Sequence, residues 1–266
     1  MVRIKNKALG DGRGVLGFTL AEVLITLGII GIVAAMTLPT LIQKNQEKET
    51  VAKLSKFNTV INQAYMLAIN ANGYVEDWGL SKAGTGQEQT DEEVADGNSA
   101  RDKFLDKLIS YLKVNSRCKY TEENCYSYDR YSLDGTKFST FTPRLTLADG
   151  TSIVGITILD EKCSSQHGNS KVLKNVCGEI FVDLNGPKPP NTTGKDVFLF
   201  LYTKYGIVPV GLPDTFENRQ SFEISCNLSN PYNLNGYGCA AWIIYNGNMD
   251  YLHCNDLSWN GKRKCK

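Results

Sequence analysis

The sequence predicts an α+β fold: a long N-terminal α-helix, kinked part-way, packed on an antiparallel β-sheet within a disulfide-stapled head. Three observations point there. An apolar stretch runs from Phe18 to Leu38 and gives way to an amphipathic helical repeat. The alternating, β-branched runs all come later, between Arg144 and Val210. All eight cysteines lie beyond position 117.

The apolar stretch is roughly 31 Å long as a helix, enough for a hydrocarbon core of about 30 Å. Pro39 follows it. A proline inside a helix removes a backbone bond and crowds the preceding turn, so a kink is expected near Leu38–Pro39. Beyond it Val51, Leu54, Phe57, Ile61, Ala64, Tyr65 and Ala68 recur at three- and four-residue steps, and Asn72-Gly73 reads as a stop. One helix over residues 18–72 follows, apolar all round at first and then amphipathic, so its second half lies against the head.

From Tyr74 to Asn98 the composition turns polar and reads as an exposed loop. Ser99 to Asp102 has capping-box spacing ahead of Phe104, Leu105, Leu108, Ile109 and Leu112, so a short helix is expected there. Arg144–Leu147 and Ser152–Ile158 flank Ala148-Asp149-Gly150-Thr151, a hairpin signal. Glu179–Leu184, Val197–Tyr202 and Ile207–Val210 are further strands, and Cys239–Tyr245 a short helix or strand.

None of the cysteines has C-x-x-C spacing, and only His167 and His253 could supply imidazoles. Structural disulfides in an oxidising compartment follow. Eight cysteines allow 105 pairings. Proximity favours Cys118–Cys125 and Cys163–Cys177, leaving Cys226, Cys239, Cys254 and Cys265 to staple the C-terminal region. Net charge is +1, and the basic end at Lys262, Arg263, Lys264 and Lys266 reads as a solvated tail. A near-neutral body argues against nucleic acid as a partner. With no G-x-S-x-G, H-E-x-x-H or P-loop, an enzyme is not expected.

Two groups of residues are candidates for function. Glu22 places a carboxylate inside the apolar stretch, where a charge is costly and calls for a named partner. A cut between Gly17 and Phe18 would give Phe18 an α-amino group one turn from Glu22, and a neighbour's amine could pair with that carboxylate. Separately, Asp183-Leu184-Asn185-Gly186 begins like a calcium loop, with Asp196 further on. The closing acidic residue of an EF-hand is missing, and such clusters ordinarily make turns. A turn is therefore the expected role, with calcium on Asp183, Asn185 and Asp196 the alternative.

Gly17 followed by Phe18-Thr19-Leu20-Ala21-Glu22-Val23-Leu24-Ile25, with Pro39 near the end of the apolar run, resembles the cleavage and methylation signature of type IV prepilins and type II secretion pseudopilins. The resemblance implies a leader over residues 1–17, removed by a prepilin peptidase, and N-methylation of Phe18. Glu22 becomes the assembly carboxylate of a helix over 18–72, with 18–38 spanning the membrane, and residues 73–266 form the pilin-like head. It also implies a single-pass inner-membrane precursor with its head outside the cytoplasm, then a cell-surface or periplasmic filament. The implied partners are the peptidase, other pilin subunits, an inner-membrane assembly platform and lipid. The alternatives in function are a binding module displayed on a filament and a membrane-anchored extracytoplasmic enzyme.

Overall fold

A computed structural model describes residues 18–81, 90–218, 220–231 and 234–265. The chain divides into two units, residues 1–46 and 47–266. Helix α1 (Leu20–Asn72) contributes to both, and it continues past Pro39, so the proline does not end it.

In the second unit the amphipathic repeat of α1 does what its spacing predicts. Leu54, Phe57, Ile61, Ala64, Tyr65 and Ala68 are buried and Val51 packs beside them. The stretch after α1 departs from expectation. A 3-10 turn over Val75–Asp77 puts Val75, Trp78 and Leu80 into the core. The Trp78 ring lies edge-on to Tyr65 with centroids 5.9 Å apart, and its Nε1–H donates to Gly73 O at 2.9 Å. Among its described residues three apolar side chains anchor this segment, too few to register against its polar composition.

Helix α2 (Asp91–Ile109) starts well before Ser99. Thr90 is its cap: Thr90 Oγ1 accepts from Glu93 N, and the Glu93 carboxylate accepts from Thr90 N at 2.9 Å. This reciprocal pair is a true capping box, and it displaces the weaker signal at Ser99–Asp102. Asp102 is instead buried mid-helix. Its carboxylate takes the Arg117 guanidinium at 2.9 Å, Tyr120 N at 2.9 Å and Thr121 N at 3.2 Å.

Eight strands follow among the described residues. These are β1 (Val114–Arg117), β2 (Tyr128–Tyr131), β3 (Lys137–Phe141), β4 (Leu145–Leu147), β5 (Ser152–Ile158), β6 (Val176–Asp183), β7 (Val197–Thr203) and β8 (Gly206–Pro209). One antiparallel sheet has the order β1-β4-β5-β6-β7-β8, and β2-β3 form a separate hairpin. Side chains alternate across the sheet. Ile156, Ile180, Val182, Phe198, Phe200 and Tyr202 share a core with α1 and α2. Phe57 meets Phe200 edge-on at 5.4 Å. Val154, Phe181, Val197, Leu199 and Leu201 share the opposite core with Tyr128 and Phe141 of the hairpin. There Arg130 is buried with its guanidinium 4.7–5.1 Å from the ring centres of Phe138, Phe141, Phe181 and Tyr237. Rings accept a cation on their faces, and Tyr237 Oη accepts one of its N–H groups.

The C-terminal region carries two short helices, α3 (Phe222–Ser225) and α4 (Cys239–Asn246). Phe222 stacks on Trp242, with ring centres 4.1 Å apart and planes at 9°. The disulfides are Cys118–Cys125, Cys163–Cys177, Cys226–Cys239 and Cys254–Cys265, the first two as proximity suggests. The basic end is not a loose tail up to Cys265: Lys262 pairs with Asp256, and Arg263 lies over the Trp259 ring and donates to Trp259 O.

The outer side of β8 is closed by a side chain of α1. Asn62 Oδ1 accepts from Ile207 N at 2.9 Å, and Asn62 Nδ2 donates to Ile207 O at 2.8 Å, as a paired strand would. Asn62→Ala should therefore strand two main-chain groups and destabilise the head by about 1–3 kcal/mol. Chemical denaturation of the detergent-solubilised protein measures this, and an unchanged midpoint would mean that water replaces the amide.

Candidate functional site

The first unit presents an apolar surface. Phe18 is 86% exposed, Leu20 78% and Met36 74%, and Leu24, Ile25, Leu27, Ile29, Ile30 and Ile32 are exposed with them. The helix is long and apolar enough to cross a membrane, and its apolar window has no buried residue. Glu22 is the sole charged residue between Phe18 and Gln43.

The structure gives Glu22 a local role besides the expected one of an assembly carboxylate. Its carboxylate accepts from Thr19 N and from Thr19 Oγ1, both at 2.8 Å, while Glu22 N donates to Thr19 Oγ1 at 3.2 Å. Thr19-x-x-Glu22 is thus a capping box that starts α1. The signal was present in the sequence as threonine followed three residues later by glutamate. Gly17 and the rest of the leader lie outside the described residues.

The second candidate lies between β6 and β7, where the structure brings Asp183, Asn185 and Asp196 together. Asp183 ends β6, and its Oδ1 accepts from Asn185 N at 3.0 Å and Gly186 N at 2.8 Å. Gly186 completes the turn at φ +67°, where a side chain would be strained. Asp183 Oδ2 accepts from the Tyr128 hydroxyl at 2.5 Å, which ties the β2–β3 hairpin to the loop. Asp196 precedes β7 and accepts from Asn191 N at 2.9 Å, Thr192 N at 2.7 Å and the Asn185 amide. The turn expected from the sequence is therefore present, and it is buried: Asp183 has no exposed surface and Asp196 is 5% exposed. Asn191, which follows in the same stretch, is also buried, with its side-chain amide 3.1 and 3.0 Å from the carbonyl oxygens of Gly186 and Lys188.

A third polar grouping was also missed. Gln220 Nε2 donates to Glu179 Oε1 at 2.6 Å, so its oxygen faces His167 Nδ1, and His167 Nε2 faces Ser165 Oγ at 3.0 Å. This order makes Nδ1–H the donor to the Gln220 oxygen. The chain ties the segment closed by Cys163–Cys177 to β6.

A family of unknown function (DUF6613) matches residues 40–255. The chain belongs to this family. The match covers the amphipathic half of α1 and most of the head, including the 183–196 loop, and starts immediately after Pro39. No curated protein and no solved structure matches the chain.

Burial raises the carboxyl of Asp183 to about 7 and that of Asp196 to about 6, and the Asp196 charge adds to the shift at Asp183. Both values lie above those of an unfolded chain, so between about pH 4 and 7 the folded state holds protons that the unfolded state has released. Stability from this pair is complete at the acid end of that window and is lost as pH rises through it. In EDTA, the melting temperature should be higher at pH 5 than at pH 8, and Asp183→Asn should flatten the difference. An equal or larger difference in the variant would place the effect elsewhere.

Proposed function

We propose that this chain is a structural subunit, a pilin, minor pilin or pseudopilin, of a type IV pilus-like or type II secretion pseudopilus filament. A prepilin peptidase cuts after Gly17 and Phe18 becomes the N-methylated terminus. Residues 18–38 hold the subunit in the inner membrane, with the head outside the cytoplasm, until the assembly platform adds it to the filament. The observation that carries this reading is a single carboxylate, Glu22, in an otherwise apolar and exposed helix start, four residues after the residue expected to become the N-terminus.

Physical chemistry links those features. An exposed apolar helix must be covered by lipid or by copies of itself. Lipid tails are as apolar as leucine, so burying apolar surface supplies little drive for moving the helix from bilayer to bundle. A charge pair does supply one, because a carboxylate and an amine in an apolar medium each remove the other's desolvation cost. Glu22 of one subunit with the Phe18 amine of the next supplies such a pair and sets the axial stagger.

The capping box gives a sharper test than deletion of the side chain. Glu22→Gln keeps an N3 side chain that can accept from Thr19 N, so the helix start persists, but the charge is gone. Breaking a buried pair costs about 3–5 kcal/mol. Glu22→Gln should therefore be cleaved normally, accumulate as mature monomer in the membrane and enter sheared fibres poorly, as Glu22→Ala should. Co-expression with the unaltered subunit and fractionation of the fibres measures this, and equal incorporation of the glutamine variant would remove the charge-pair mechanism. Mass spectrometry of the mature chain should find N-methylated Phe18, and an intact leader in a strain with active prepilin peptidase would overturn the assignment.

A further inference from the structure

We propose that the basic end of the head is a docking surface for anionic lipid headgroups, built from Arg263, Lys264, Lys48 of α1 and the exposed ring of Tyr245. It holds the head to the membrane surface before the subunit is assembled. This rests on the reading of residues 18–38 as the membrane segment.

Three observations carry this. The first is reach. Ile42 is the last apolar residue before the polar stretch from Gln43 to Thr50, and Glu47, five residues on, faces His253 Nε2 at 2.9 Å. Five residues span at most about 18 Å, so the part of the head that touches Glu47 stays near the bilayer surface. His253 is followed by Cys254, whose disulfide to Cys265 holds their Cα atoms 5.9 Å apart and brings Lys264 to the same place. The second is charge. The acids at this end have partners: Glu47 faces His253, Glu49 pairs with Lys53, Asp256 pairs with Lys262, and Asp250 accepts from Cys265 N at 2.7 Å. Lys48, Arg263 and Lys264 are exposed, and among the described residues none of them forms an ion pair. The third is the aromatic setting. Tyr245 is 65% exposed, its ring stands edge-on to Trp259 at 6.2 Å, and the Arg263 guanidinium lies 5.8 Å from the centre of that Trp259 ring. Tyrosine beside arginine suits the headgroup level, where the ring meets the acyl boundary and the guanidinium fork meets phosphate oxygens.

A merely solvated tail would be loose, and this segment is not. Arg263 Nη2 donates to Trp259 O at 3.0 Å, and Asn248 Nδ2 donates to Arg263 O at 3.3 Å. The bases are presented from an ordered backbone, so little freedom is lost when they meet a surface. A polyanion in solution is a poorer partner, since three bases make few phosphate contacts and salt would release them. An anchored head needs only weak attraction, because its tether keeps its effective concentration at the surface high.

The test places the full chain in nanodiscs of phosphatidylglycerol or of phosphatidylcholine and follows main-chain hydrogen exchange by mass spectrometry. Exchange across residues 246–265 should be at least about fivefold slower in the anionic discs, the factor expected for one basic residue at such a surface. The difference should vanish in about 1 M salt, where screening is nearly complete. Lys264→Glu changes an exposed side chain, so β6 and β7 should exchange as before while most of the difference is lost. Lys103→Glu makes the same change of charge at an exposed position of α2 and should keep it. Equal exchange in the two kinds of disc, with the chain inserted in both, overturns this inference alone. A chain that enters neither overturns it together with the membrane reading. Equal loss in the two variants would make the effect one of net charge, and protection that persists in salt and grows with the number of chains per disc would assign the surface to a neighbouring subunit. Either result overturns the inference.

Discussion

Every side chain of β6 and β7 is withdrawn from water, on both faces of the sheet. That constraint organises the rest of the head. A buried face must be covered, and each cover must bring its own polar groups to terms with the sheet. On one face α1 and α2 supply the cover, and the polar groups that enter with them are matched to main chain: the Tyr65 hydroxyl donates to Thr203 O at 2.7 Å. On the other face the β2–β3 hairpin is a thinner cover. It needs a buried cation among four rings at Arg130 and a phenol on a carboxylate at Tyr128. The disulfides restrict the long connections around this centre. Each closes a short loop, 7–14 residues apart in sequence, and at about 2–4 kcal/mol apiece they offset the entropy of ordering chain that has little periodic structure.

What could be read from the sequence follows from how each segment meets its surroundings. The strands β5, β6 and β7 were legible because burial leaves long apolar runs, and the amphipathic half of α1 was legible because one face of it is wet. Strands β1, β2 and β3 were not. Val114–Arg117 shows one intermediate residue at each end and exposed ones between, and β3 is exposed over four of its five positions. Pairing with neighbours holds β1 and β3, and pairing leaves no mark on composition; β2 buries Tyr128 and Arg130, but a four-residue strand with two charged residues shows no apolar alternation. Trp78 and Val75 were misread for a related reason: an isolated apolar residue becomes core only because Tyr65 and Phe104 arrive from elsewhere in the chain. The start of α2 was legible in principle, since Thr90 and Glu93 stand at capping spacing. Four acidic residues within its first two turns made the stretch look solvated.

The candidate sites show the same division. Asp183, Asn185 and Asp196 could be picked out as oxygen-bearing residues around a turn. The approach of the Asn191 amide to the carbonyls of Gly186 and Lys188 could not, because it depends on how the chain between β6 and β7 folds back. The Ser165–His167–Gln220–Glu179 chain has links spanning 53 and 41 positions and was invisible for that reason.

The Thr19–Glu22 pair sets a physical condition on any assembly that uses Glu22. In the single chain the carboxylate is not bare: it holds the N–H and the hydroxyl of Thr19, the residue that caps α1. Neutral donors of this kind lower the cost of carrying a carboxylate into an apolar medium but leave its charge uncompensated. A neighbour that offered only another neutral donor would gain little by displacing Thr19. A neighbour that offers an ammonium gains the charge interaction as well, and it need not displace Thr19, since a carboxylate accepts at both oxygens. On the proposed reading, the same four residues therefore act at two stages. They start the helix in the lone subunit, and they hold a carboxylate in one orientation so that the next subunit's amine meets a positioned partner. A glutamate without the threonine three residues before it would lose rotamer freedom only on assembly, and the pairing would be weaker by that ordering cost.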